Sequence, residues 1–141
     1  MVRVAAKAAE RTNTFANAMD VEAPALAPLD QAGAPAIDIV HLARMTGGDR
    51  NLEREVLELF AMQARMLLAR MREQPPPAVG ALAHVLNGSA RGIGAWAVAE
   101  AAEALESSAA EAGEVGPSLL RLTTTVAAAQ AAIGEMLQTA D

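Results

Sequence analysis

The fold is predicted most directly by residues 49–77, which read DRNLEREVLELFAMQARMLLARMREQPPP. Apolar side chains recur in this stretch at steps of three and four residues, from Leu52 through Phe60 to Met71. This is the period of an amphipathic helix. Asp49 is a suitable N-cap, and the prolines at the end of the stretch stop the helix. A helix of about 24 residues is long for a globular protein and favours a helical bundle.

Four further helices are predicted around this long one. Asp38 caps a short helix before it, in which the apolar residues Ile39, Leu42 and Met45 follow the 3.6-residue period. Three helices follow the long one, at about residues 77–93, 95–112 and 117–137. Because the connections are short, neighbouring helices are predicted to run antiparallel. The predicted fold is therefore all-α, an antiparallel up-and-down four-helix bundle with a short extra N-terminal helix.

Proline positions divide the chain into two parts. Pro24, Pro28 and Pro35 interrupt any helix in the N-terminal region. We therefore predict that residues 1–36 are a flexible tail or linker and that residues 37–141 form one helical domain.

Composition excludes several classes of function. The 141 residues include 11 Lys and Arg against 17 Asp and Glu, a net charge of −6, which disfavours nucleic acid as a partner. Cysteine is absent, so disulfides, thiolate metal sites and cysteine nucleophiles are excluded. No run of about 18 apolar residues indicates a membrane span. These features predict a cytoplasmic protein that does not bind membranes.

A helical wheel of the third helix separates an apolar stripe from a polar face. Val79, Leu82, Leu86, Ala90 and Ile93 form the stripe, and His84 lies opposite, together with Gly80, Asn87, Gly88 and Arg91. Glycine inside a helix is unfavourable by about 1 kcal/mol relative to alanine. Two interpretations remain open at this point: the glycines allow a macromolecule to approach the imidazole, or one of them marks a close helix crossing or a frayed end.

Residues 83–95 read AHVLNGSARGIGA and resemble the phosphorylation motif of histidine-containing phosphotransfer (HPt) domains. The matching positions are His84, Leu86, Gly88, Ser89, Gly94 and Ala95. The Leu105-Glu106 pair in the next helix is also similar to the family pattern.

This resemblance implies that the chain is a phosphocarrier and not an enzyme. His84 would be the phosphoacceptor, exchanging a phosphoryl group with an aspartate of a receiver domain in a bacterial two-component phosphorelay. The implied partners are response-regulator receiver domains and hybrid or histidine kinases, and the chain itself is expected to be a monomer. We see no carboxylate cluster on the His84 face to hold a metal, so no cofactor is expected here and Mg²⁺ is expected on the partner receiver domain.

One position departs from the family pattern. The family usually has a lysine three residues after the histidine, and this chain has Asn87. Arg91 lies on the same side of the helix, one turn further on, so it is either a replacement cation for the phosphoryl group or a solvated side chain. Asn87, Gly88, Arg91 and Gly80 are the predicted contacts to the phosphoryl group or the partner.

The missing lysine, Trp96 and the glutamates of the fourth helix each allow a second interpretation. Because the usual lysine is missing, the alternative function is a non-phosphorylated helical module that binds a receiver or a histidine kinase. His41 is predicted to be a partly exposed helical residue. Trp96 is either a core or boundary anchor or the edge of a docking surface. The glutamates of the fourth helix are predicted to form a solvated face, or to steer a basic partner.

Overall fold

The computed structural model describes residues 35–111 and 113–139, which form five helices and no strand. The helices are α1 (Ile39–Thr46), α2 (Arg50–Met71), α3 (Pro76–Ile93), α4 (Trp96–Ala110) and α5 (Gly116–Thr139). The predicted all-helical class is therefore confirmed. The predicted tail, residues 1–36, lies outside the described residues apart from Pro35 and Ala36, and Ala36 is buried.

The four long helices each pack against two of the others. α3 packs against α2 and α4, α5 packs against α4 and α2, and α1 contacts α2 and α3. Between α2 and α5, the Gln130 side-chain amide donates to the Ala61 carbonyl over 2.9 Å, and Arg54 donates to the Leu137 carbonyl over 3.1 Å. These contacts enclose one core of mostly aliphatic side chains.

Small side chains bring α3 and α4 close together. The buried residues of α4 are mostly alanines, and α3 contributes Ala83 and Ala90 to the same core. At Gly80 a β-carbon would lie only 3.2 Å from the β-carbon of Ala109. Helices with such small contact residues approach closely, so side chains at the edges of this interface can reach from one helix to the other.

The face that α1 buries differs from the one that its apolar residues mark. Ile39 and Met45 are 44% and 60% exposed, and the buried side chains are Leu42 and Thr46, one turn apart. The Thr46 hydroxyl donates to the Leu42 carbonyl over 2.9 Å, which satisfies the polar group in its buried position. An eight-residue helix carries too few apolar positions for the period alone to fix which face it buries.

The turn between α3 and α4 holds the start of α1. The Asp38 backbone N–H donates to the Gly94 carbonyl over 2.9 Å, and the Trp96 indole N–H donates to the Asp38 carboxylate over 3.0 Å. The same carboxylate caps α1 by accepting from the His41 backbone N–H. Burial raises the pKa of Asp38, but the hydrogen bonds from Trp96 and His41 outweigh that effect and hold the pKa below its ordinary value.

His41 and Trp96 also hold the start of α1 against the turn between α3 and α4. The His41 Nε2–H donates to the Arg91 carbonyl over 3.0 Å, and the two rings lie 4.8 Å apart, centroid to centroid. His41 is half-buried, as predicted, and Trp96 is 36% exposed. The structure therefore gives Trp96 the role of boundary anchor, one of the two interpretations that the sequence left open.

Gly94 is required at the turn for two reasons. Its φ of 82° lies in the left-handed region, and a β-carbon would come within 2.9 Å of the Asp38 β-carbon. We expect Gly94→Ala to destabilise the protein by about 2–4 kcal/mol, measured by thermal or urea unfolding. Gly92→Ala is the matched control, because Gly92 is helical with open space around it, and it should leave stability equal or higher. Equal stability of the two variants would contradict this account.

Candidate functional site

His84 stands on the solvent side of α3, as the helical wheel predicted. The core-facing residues of that helix are Val79, Ala83, Leu86, Ala90 and Ile93. The His84 side chain is 73% exposed. An imidazole in this position contributes little to the core and is accessible to another macromolecule.

Glu106 of α4 contacts the imidazole, although no pattern in the sequence predicted this contact. The His84 Nδ1 lies 3.0 Å from the Glu106 Oε2. The contact arises because Leu105 is fully buried in the core, which leaves the next residue of α4 at the edge of the α3–α4 interface. The Leu105-Glu106 pair in the family resemblance was the signal that pointed to this position, although it gave no role for the carboxylate.

The carboxylate assigns different roles to the two ring nitrogens. A carboxylate only accepts hydrogen bonds, so the proton between the groups belongs to His84 Nδ1 in the neutral ring. The lone pair of the neutral imidazole is then on Nε2, which carries no hydrogen bond within the described residues. A histidine oriented by a carboxylate in this way can act as a nucleophile at its second nitrogen.

Asn87 and Arg91 form a second polar cluster on the same helix, together with Glu103 of α4. The Arg91 Nε donates to the Asn87 Oδ1 over 2.8 Å. The Arg91 guanidinium also donates to the Glu103 Oε1 over 3.0 Å. Two glutamates of α4, Glu103 and Glu106, therefore contact polar groups of α3. The two interpretations that the sequence left open, a solvated face or the steering of a basic partner, did not include these contacts.

Gly80 and Gly88 have different surroundings. A β-carbon at Gly88 would meet no atom within 4 Å, so this position is open above the imidazole. Gly80 is half-buried against Ala109 of α4. Gly80 therefore marks a close crossing with α4, which is one of the two interpretations that the sequence left open for these glycines. Gly80 nevertheless lines a shallow hollow beside His84, together with Pro77, Ala81, Glu106, Ala109 and Ala110.

No metal-binding cluster is found in residues 35–111 and 113–139: nowhere do three His, Asp or Glu side chains come together in a way that could hold an ion. The charged side chains along the α3–α4 interface include Glu106, which contacts His84, and the Glu103–Arg91 pair. Glu106 is suited to position the imidazole, and Arg91 is suited to bind an anion. Together these groups do not form a metal-binding site.

Comparison with known families identifies the fold and its motif. The family model described as the Hpt domain matches residues 55–139. The chain belongs to the Hpt domain family. The match contains α3, α4 and α5 and most of α2, and the whole His84 motif lies within it. α1 lies before the matched residues.

Membership of the Hpt family implies the class of function. Hpt domains are phosphocarrier modules of two-component phosphorelays that interact with receiver domains and kinases, and they are not catalysts in themselves. No curated protein and no solved structure matches this chain. None of the helices in the described ranges combines the length and apolar character that crossing a membrane requires.

Proposed function

We propose that this Hpt domain accepts a phosphoryl group on His84 Nε2 from a receiver-domain aspartate and donates it to another. The observation that carries the proposal is the His84–Glu106 contact. It presents an exposed imidazole whose Nδ1 is held by a carboxylate, on the helix that carries the family's motif. This arrangement leaves Nε2 as the nucleophile.

The proposed transfer step is a displacement at phosphorus. The Nε2 lone pair attacks the phosphorus of the aspartyl phosphate, the N–P bond forms, and the P–O bond to the aspartate carboxylate breaks. The Nδ1 proton stays in its hydrogen bond to Glu106, whose charge stabilises the ring as positive charge develops there. Donation to the next receiver is the reverse sequence. Mg²⁺ is proposed on the receiver, where it would neutralise the phosphoryl oxygens.

The partner contacts proposed from the sequence lie around this imidazole. Gly88 is open above the ring, and Gly80 lines the hollow on the other side. Asn87 stands one turn from His84 and contacts Arg91. We propose that a receiver loop covers this surface and that Arg91 interacts with the phosphoryl oxygens.

The helix order supports a more detailed description of the fold. Along α2 and α5 the contacts pair residue 61 with 130 and 54 with 137, and between α3 and α4 they pair residue 84 with 106 and 91 with 103. In each pair of helices, the residue numbers of the contacts rise along one helix as they fall along the other, so the two helices run in opposite directions. We propose an antiparallel up-and-down four-helix bundle with α1 added at its N-terminal side. We also propose that the chain acts as a monomer in the cytoplasm, where it would meet receiver domains.

The direct test is phosphotransfer from a receiver. The chain is incubated with a phosphorylated receiver domain and analysed for label that is acid-labile and base-stable. Label that mass spectrometry assigns to His84 supports the proposal. Label on another residue would contradict it.

A second candidate function is a binding module that is not phosphorylated. The observation that favours it is Asn87, which replaces the family's usual lysine beside the imidazole and whose oxygen is occupied by Arg91. Tight receiver binding without label on His84 would select this alternative.

We expect removal of the Glu106 carboxylate to slow phosphorylation. A hydrogen bond to a charged group contributes about 1.5 kcal/mol at the lower end of its range, so Glu106→Ala should reduce the acceptance rate about tenfold. The measurement is the initial rate of label transfer from a phosphorylated receiver. Glu100→Ala is the matched control, because Glu100 is an exposed glutamate of the same helix. Equal rates in the two variants would show that the carboxylate does not position His84.

A further inference from the structure

Arg91 has two hydrogen-bonding partners that hold its guanidinium beside Asn87, on the face of α3 that carries His84. Its Nε donates to Asn87 over 2.8 Å, and its guanidinium donates to Glu103 over 3.0 Å. A guanidinium has five N–H donors, so these bonds leave further donors for another acceptor. The Arg91 and Glu103 side chains are 49% and 61% exposed, so both are accessible to a group that arrives from solvent.

Asn87 determines where the guanidinium lies. It occupies the position one turn beyond His84, on the same face of α3. A helical side chain extends toward the N-terminal end of its helix, so Arg91 reaches back over Asn87 in the direction of His84. The amide oxygen of Asn87 thus holds a cation from the next turn beside the position at which the family usually carries its own cation.

Glu103 limits the availability of that cation. Its carboxylate pairs with the guanidinium from α4, opposite the α3 residues. An ion pair between half-exposed groups is weak because solvent screens it. A phosphoryl group carries a larger negative charge and three acceptor oxygens, so it competes well for the same guanidinium.

We infer that Asn87 and Glu103 are positioning residues of this Hpt domain: Asn87 presents Arg91 to the phosphoryl group on His84, and Glu103 competes for Arg91. This inference rests on the proposed function. Its consequence is that Glu103 shortens the lifetime of the phosphohistidine. When Glu103 is removed, Arg91 spends more time on the phosphoryl oxygens. This contact stabilises the phosphohistidine more than the metaphosphate-like transition state of hydrolysis, in which the phosphoryl oxygens carry less charge.

The test measures the lifetime of the phosphorylated full chain without a partner protein. Phosphoramidate is the phosphodonor: His84 Nε2 attacks its phosphorus, the new N–P bond forms as the reagent's P–N bond breaks, and ammonia leaves. After the reagent is removed, ³¹P NMR follows the loss of the phosphoimidazole signal at fixed pH. The variants are Glu103→Ala, Arg91→Ala and the double variant, with Glu100→Ala as the matched control for loss of one negative charge from α4.

We expect Glu103→Ala to lengthen the half-life about two- to fivefold, the range that corresponds to the strength of an exposed ion pair. Arg91→Ala should shorten the half-life, and the double variant should equal Arg91→Ala, because without Arg91 there is nothing for Glu103 to hold. Glu100→Ala should match the unsubstituted chain. This pattern separates competition for Arg91 from a general effect of charge.

Several results would overturn the inference. An unchanged half-life in Glu103→Ala would show that Glu103 does not compete with the phosphoryl group. The same gain in the Arg91→Ala background, or in Glu100→Ala, would show that only the net charge matters. These results leave the proposed function intact. Absence of label on His84 in the unsubstituted chain would instead overturn the proposed function, and the inference with it.

Discussion

His84→Gln is expected to abolish phosphoryl acceptance while the fold stays intact. Glutamine has no nucleophilic ring nitrogen, so no N–P bond can form. Because the His84 side chain is 73% exposed and contacts Glu106 only at the surface, its replacement should change the melting temperature by no more than about 2 °C. The measurements are label transfer from a phosphorylated receiver and thermal unfolding followed by circular dichroism.

The second histidine provides the reciprocal control. His41 donates to the Arg91 carbonyl and packs against Trp96, so His41→Gln should lower the melting temperature and leave His84 phosphorylatable. If His84→Gln lost several degrees or retained label, His84 would be a structural residue and the assignment of the acceptor would be wrong.

Gly88→Gln is expected to raise the stability of the protein and to slow phosphoryl transfer from a receiver. A β-carbon at Gly88 meets no atom within 4 Å, so the protein itself accepts a side chain there, and glutamine favours the helix by several tenths of a kcal/mol. The longer side chain would stand about one turn above the imidazole and keep a receiver loop away. Displacement of reacting groups by about 1 Å can cost about a hundredfold in rate, so transfer from a receiver should fall strongly.

Gly134→Gln is the matched control for this change. Gly134 is an exposed helical glycine of α5, also with nothing within 4 Å. Both variants should gain similar stability in urea unfolding, and only Gly88→Gln should lose receiver-dependent labelling. Labelling by phosphoramidate, a small donor, should persist in both. Unimpaired transfer from a receiver to Gly88→Gln would show that Gly88 does not serve partner access.

The predictable part of the site is local to α3. The spacing of apolar residues put His84 opposite the core, and the exposure of its side chain agrees. The motif in residues 83–95 indicated the family, and the family match confirms it. The Asp38 and Asp49 caps were also predictable, because each accepts from a backbone N–H only three residues ahead. All these properties depend on residues within a few turns of one another.

Interactions between helices were not predictable in the same way. Glu106 reaches His84 across 22 positions of sequence, and Glu103 reaches Arg91 across 12. Both contacts depend on how closely α3 and α4 approach and on their register, which the small residues at Gly80 and Ala109 permit. The wheel treats a helix as having one buried side, so it left open whether Gly80 faces a partner or a neighbouring helix.

The sequence by itself determined the helices, their caps, the exposed histidine and the family motif, because hydrophobic period, proline and glycine positions, and capping side chains act over a few residues. Only the tertiary structure decided which carboxylate orients His84, which one holds Arg91, and how Asp38 and Trp96 fix α1 to the turn at Gly94. The physical reason is that these contacts depend on packing between helices. Their distances are set by the volumes of buried side chains throughout the core, and no local pattern in the sequence specifies those distances.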